Sequence, residues 1–123
     1  MQYMLLIYTP EDDHGQTTEA EAQALVDRYR DVMRGQKASG RFVDALRLND
    51  RKPPATVRIE KGGGTQITDG PFVETKEILA GFILLECATR EEAVAEAKKI
   101  PGAEVGTVEV RGVVDLPALL GRA

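Results

Sequence analysis

Between Asp69 and Glu77 the chain sets Asp69, Glu74, Lys76 and Glu77 within nine residues, three carboxylates beside one ammonium group. Crowded like charges disfavour one another's ionisation, so one carboxyl in such a cluster moves toward neutrality, where general acid–base catalysis works best. A second charged pair occupies the run Thr107-Val108-Glu109-Val110-Arg111. With a strand period of two, Val108 and Val110 face one way, and Glu109 and Arg111 the other. A guanidinium in that position can grip an oxygen anion through a forked hydrogen bond, while Glu109 or Asp69 carries a proton. Tyr8, at the end of an apolar run, offers a phenolic hydroxyl to a ligand or closes a core edge. Asp69 and Glu109 are therefore the catalytic candidates, and Tyr8, Glu74, Lys76 and Arg111 the ligand-binding ones. Each has a structural alternative. Asp69-Gly70-Pro71-Phe72 also makes a good turn anchored by Phe72, and Glu109 with Arg111 also makes an ion pair at a covered seam.

Other chemistries find little footing. One cysteine, Cys87, excludes an intrachain disulfide and every multi-cysteine metal centre. It lies in an apolar stretch with no basic neighbour in sequence, which suits a buried small residue better than a nucleophile. The one histidine, His14, falls in the polar stretch Glu11–Thr17 and reads as a solvated loop residue. Gly62-Gly63-Gly64 lacks the strand–loop–helix order and the following Lys-Ser/Thr of a phosphate cradle, so it reads as a hairpin turn. No metal or cofactor motif is read. A net charge of −4 and a pI near 5.1 argue against direct binding to nucleic acid. No apolar run approaches the ~18 residues of a membrane span, and the first residues resemble no signal peptide, so the expected location is cytoplasmic.

The elements that must position these groups follow from pattern. Tyr3 to Thr9 is a short apolar run stopped by Pro10, a strand. Thr18 with Glu21 forms a capping box, and Ala22, Leu25, Val26, Tyr29, Val32 and Met33 then make one helical stripe as far as Gly40. Arg41 to Leu48 reads as a second strand. Thr56–Ile59 and Thr65–Thr68 flank Lys61-Gly62-Gly63-Gly64 as a hairpin. Glu77 to Cys87 is a long strand, Thr89 with Glu92 caps a second helix bearing Ala93, Val94, Ala97 and Ile100, and Gly106 to Val114 is the last strand. The expected fold class is α+β: a ferredoxin-like split βαβ antiparallel sheet, two helices on one face, and an inserted β-hairpin. Residues 1–114 form the domain and 115–123 a tail.

Two strands break the alternation of a sheet with one wet face. Tyr3–Tyr8 and Ala80–Leu85 carry no charge on either side of the pleat. Two helices cover only one face, so a second copy packed face to face is expected on the other. The alternative is the tail, Leu116 to Leu120, folding back within one chain.

The run Asp69-Gly70-Pro71-Phe72-Val73-Glu74-Thr75-Lys76-Glu77 resembles the signature of the DGPF-domain branch of the YCII-related family. Tyr3-Met4-Leu5-Leu6-Ile7-Tyr8 and Gly106-Thr107-Val108-Glu109-Val110-Arg111 are similar to the two ends of that family. The resemblance implies a homodimeric α+β barrel. Charged residues directed at a face that otherwise excludes water point to a small-molecule-binding protein or acid–base enzyme, its pocket for a small polar or anionic ligand lying between that face and the second copy. The branch's association with extracytoplasmic-function sigma factors implies the alternative, a non-catalytic regulatory partner of a sigma factor. The broader group's His/Asp pair does not carry over. Glu19–Lys37 contains no histidine, Ile100-Pro101 stands where the Asp-Pro step would be, and Val105 stands where some relatives have a histidine.

Overall fold

The computed structural model of the chain describes residues 1–10, 18–48, 54–70 and 76–121. Six strands and four helices follow in the order β1 (Gln2–Pro10), α1 (Glu19–Ala38), β2 (Phe42–Arg47), β3 (Ala55–Ile59), β4 (Thr65–Asp69), β5 (Glu77–Glu86), α2 (Arg90–Ala97), α3 (Gly102–Val105), β6 (Thr107–Gly112) and α4 (Leu116–Leu119). Four strands form one sheet in the order β2-β5-β1-β6, every neighbouring pair antiparallel. That is the split βαβ, ferredoxin-like order expected from the pattern, with β3 and β4 set apart as a two-stranded hairpin.

One face of the four-stranded sheet carries the core. Tyr3, Leu5 and Ile7 on β1 and Ile83 and Leu85 on β5 are buried with Ala93, Ala97 and Ile100 of the following helical segment. Val108 and Val110 of β6 pack against the same cluster, as the period of two required. The helix starts are fixed by the predicted caps. Thr18 Oγ1 accepts from the Glu21 amide at 3.1 Å, and Thr89 Oγ1 from the Glu92 amide at 3.2 Å. The reciprocal arm of the box differs: the Glu92 carboxylate accepts from the Ala88 amide, and the Glu21 carboxylate from the Thr18 hydroxyl.

The core is covered unequally. α2 and the single turn α3 pack on β1 and β6, whereas α1 lies toward β2. Only the middle and end of the α1 stripe reach the protein interior: Tyr29, Val32 and Met33 are partly buried, while Leu25 and Val26 are exposed. The Tyr29 hydroxyl accepts from the Gly102 amide at 3.1 Å, and Arg28 pairs with Glu104, so α1 is fastened to α3 at one turn. Two features were beyond the pattern, the turns α3 and α4, each too short to show a helical period. The tail does not take the in-chain alternative: Val114, Leu116, Leu119 and Leu120 are all exposed.

Two polar groups share the interior. Glu96 is buried and receives Arg41 at 3.1 Å and Lys99 at 3.0 Å. Gln36 is fully buried, and neither its amide nitrogen nor its amide oxygen has a hydrogen-bond partner among the described residues.

Two measurements check this packing. A buried polar group left unsatisfied costs about 1–3 kcal/mol, so Gln36→Leu, which keeps the volume and removes the amide, holds or raises the free energy of urea unfolding. Burial pushes the Tyr29 phenol above its ordinary value of 10.0, against a smaller opposing effect of the Gly102 hydrogen bond. A phenol with a raised folded pKa contributes stability that is intact below the unfolded value and lost as pH rises through the folded one. Stability therefore falls above pH 10, and Tyr29→Phe makes that alkaline decline shallower.

Candidate functional site

The sheet register sorts the site residues. Directly opposed residues in an antiparallel pair point to the same face. On the face without helices, Asp44, Leu84, Met4 and Arg111 lie in one row across the four strands, and Leu46, Phe82, Leu6 and Glu109 in the next. Tyr8 follows, opposite Thr107 on one side and Leu79 on the other. The middle of this face is apolar and its β6 border is polar. Met4, Leu6, Phe82 and Leu84 are half-buried, and Leu46 and Leu79 are exposed.

Arg111 and Glu109 are joined on that border. The Arg111 Nε donates to Glu109 Oε1 at 2.6 Å, with the two side chains 67% and 41% exposed. This hydrogen bond, then the Glu109 charge and more weakly the Tyr8 phenol, raises the guanidinium further above its usual range. The geometry has a chemical consequence. Glu109 occupies the Nε edge, so the two terminal amino groups of Arg111 keep their donors without a protein acceptor among the described residues. A guanidinium fixed in that way presents a planar fork that matches a carboxylate.

Of the candidates read from sequence, Tyr8, Glu109 and Arg111 share this face. Asp69 does not lie on the four-stranded sheet at all. It ends β4 opposite Ala55, on the exposed hairpin. Lys76 is exposed immediately before β5. Glu74, His14 and most of the Asp69–Glu77 run, positions 71–75, lie outside the described residues.

Glu77 and Thr107 join the face and were not among the leading candidates. The Thr107 hydroxyl donates to Glu77 Oε1 at 2.9 Å, beside Tyr8. Their place depends on a bulge. Ile7 pairs with Gly81 but Tyr8 pairs with Leu79, so Ala80 is skipped and the parity of β5 reverses. Counting back from Leu84 without that bulge sends Glu77 to the wrong face. Gly81 is required there as well, since a Cβ on it would collide with the Leu46 carbonyl.

Cys87 is buried at the end of β5, and burial pushes its thiol up, with nearby Arg41 opposing more weakly. A thiol so placed is a poor nucleophile. No group of three or more metal-ligating side chains occurs among the described residues, and no helix there is long and apolar enough to cross a membrane.

A small α+β domain with helices on one sheet face and an apolar, polar-bordered second face is thus defined. The chain belongs to the YCII-related family, whose domain model matches residues 1–117. It is similar to "Uncharacterized protein R00369" of Rhizobium meliloti (strain 1021), 34% identical over 113 residues that cover 90% of each chain. Glu19–Lys37 contains no histidine, and Ile100, which precedes Pro101, is fully buried in the core.

Proposed function

We propose that this protein binds a small organic anion on the helix-free face of its sheet, in a chamber that a second copy of the chain closes. One observation carries the reading: Arg111 is held by Glu109 through Nε, so that its terminal fork stands beside an apolar surface. A carboxylate accepts the two parallel N–H bonds of such a fork. The rest of the ligand lies along Met4, Leu6 and Phe82, which reward burial of an apolar body by roughly 25 cal/mol per Å². The ligand class is therefore an amphipathic monocarboxylate, with Tyr8 and Thr107 as hydrogen-bonding groups at one end.

The second copy is part of the proposal because ligand and sheet share one need. An apolar face must be buried against another element, and the tail of the same chain does not reach it. Two such faces together exclude water and strengthen the Arg111–anion contact, as a lower local dielectric does for any ion pair. Within that chamber Glu109 orients Arg111, and its ionised carboxylate, or Asp69, accepts a proton from a ligand that carries an acidic one.

Thermal unfolding in the presence of carboxylates tests the binding. A panel of ring-bearing and short-chain monocarboxylates is compared with the matched neutral amides. An anion present at 100 times its Kd adds about 2.7 kcal/mol of stability. The expected result is a saturable rise in Tm with a ring-bearing acid, none with its amide, loss of the effect in Arg111→Gln and partial retention in Arg111→Lys. A flat response across the panel, or an undiminished rise in Arg111→Gln, overturns the reading.

A further inference from the structure

The hairpin β3–β4 carries an apolar face that is largely exposed among the described residues. Val57 lies opposite Ile67, and Ile59 follows on the same face, 59%, 69% and 74% exposed respectively. The reverse face is polar throughout: Thr56, Arg58, Gln66 and Thr68. An isolated two-stranded hairpin is marginal in water at best, and a strand pair so cleanly divided into apolar and polar sides is built to lie on something. Among the described residues the hairpin makes no extensive contact with any other element. At its root the Gly70 amide donates to the Pro54 carbonyl and the Thr56 hydroxyl to the Gly70 carbonyl.

We infer that this hairpin is an arm that docks its Val57–Ile67 face on a second copy of the chain, an inference that rests on the dimer of the proposed function. The area needed identifies the occupant. Strands about 4.8 Å apart, with same-face residues about 6.8 Å apart, give the helix-free face a footprint of roughly 400 Å². A stable homodimer takes about 800 Å² from each partner. The sheet face alone therefore supplies only about half. One face of the arm, two strands by five residues, measures roughly 170 Å² on the same spacings. In a two-fold dimer each copy gives an arm and receives one, so the arm counts twice and supplies most of the remainder. The arm also leaves from the C-terminal end of β2 and returns to the N-terminal end of β5, the end of the sheet that bears Tyr8, Glu77 and Thr107. Asp69 shares the face of Val57 and Ile67, so docking turns this carboxylate toward the second copy, which explains how a residue remote from the sheet comes to serve its chamber.

Sedimentation equilibrium of the full chain, Val57→Ser/Ile67→Ser and a chain in which residues 55–69 are replaced by a short Gly-Ser turn tests the arm. The root hydrogen bond between Pro54 and Gly70 brings the two ends of that excision together. The expected result is a wild-type dimer whose Kd rises at least about tenfold in both variants, the loss typical of a truncated apolar anchor, with near-ultraviolet dichroism unchanged. A wild-type dimer with unaltered Kd in both variants overturns the arm and leaves the ligand chamber standing. A wild-type chain that stays monomeric overturns both. A drop in stability of the variants with no change in Kd assigns the apolar face to its own chain and likewise overturns the arm.

Discussion

A sheet has two faces, and among the described residues the helices pack on one. The proposed function follows from the second face being apolar at its centre. Met4, Leu6, Phe82 and Leu84 occupy positions that in a sheet open to water on one side are ordinarily polar. In the dimer we propose, their burial is the driving force, proportional to area and indifferent to direction. The polar border on β6 supplies the direction. Glu109, Arg111 and Thr107 stand where a purely adhesive surface would have continued the apolar rows, and their spacing is dictated by the same two-residue period that sends Val108 and Val110 into the core.

The Arg111–Glu109 pair shows why contact geometry says more than charge count. A carboxylate placed against the terminal amino groups would have neutralised the fork and closed it to ligands. Contact through Nε leaves the fork in place and orients it. Both side chains remain substantially exposed, so the pair itself contributes little to holding the protomer together. The ion network around Glu96 has the opposite character: its carboxylate is buried, meets Arg41 and Lys99, and ties α2 to the residue leading into β2.

Much of this was legible in the residues. The charge-free runs of β1 and β5 indicate a second apolar face, and the valines of β6 assign Glu109 and Arg111 to it. What was not legible has particular causes. The skipped Ala80 reverses strand parity and moves Glu77 beside Thr107, and no local propensity announces that shift. The stripe on α1 predicts a fully buried side, yet Leu25 and Val26 stay exposed, because a period gives direction and not the length of what lies beneath. The carboxylate-rich run after Asp69 looks like one cluster in sequence, but Asp69 ends a separate hairpin while Glu77 begins a sheet strand.

The molar mass of the native chain in dilute solution, read by light scattering across a dilution series, tests the account at its root. It predicts twice the 13.4 kDa chain mass at micromolar concentration, and a folded species of single chain mass when Phe82→Asp puts a charge in the middle of the helix-free face. A wild-type protein that is folded, soluble and of single chain mass at every concentration contradicts it.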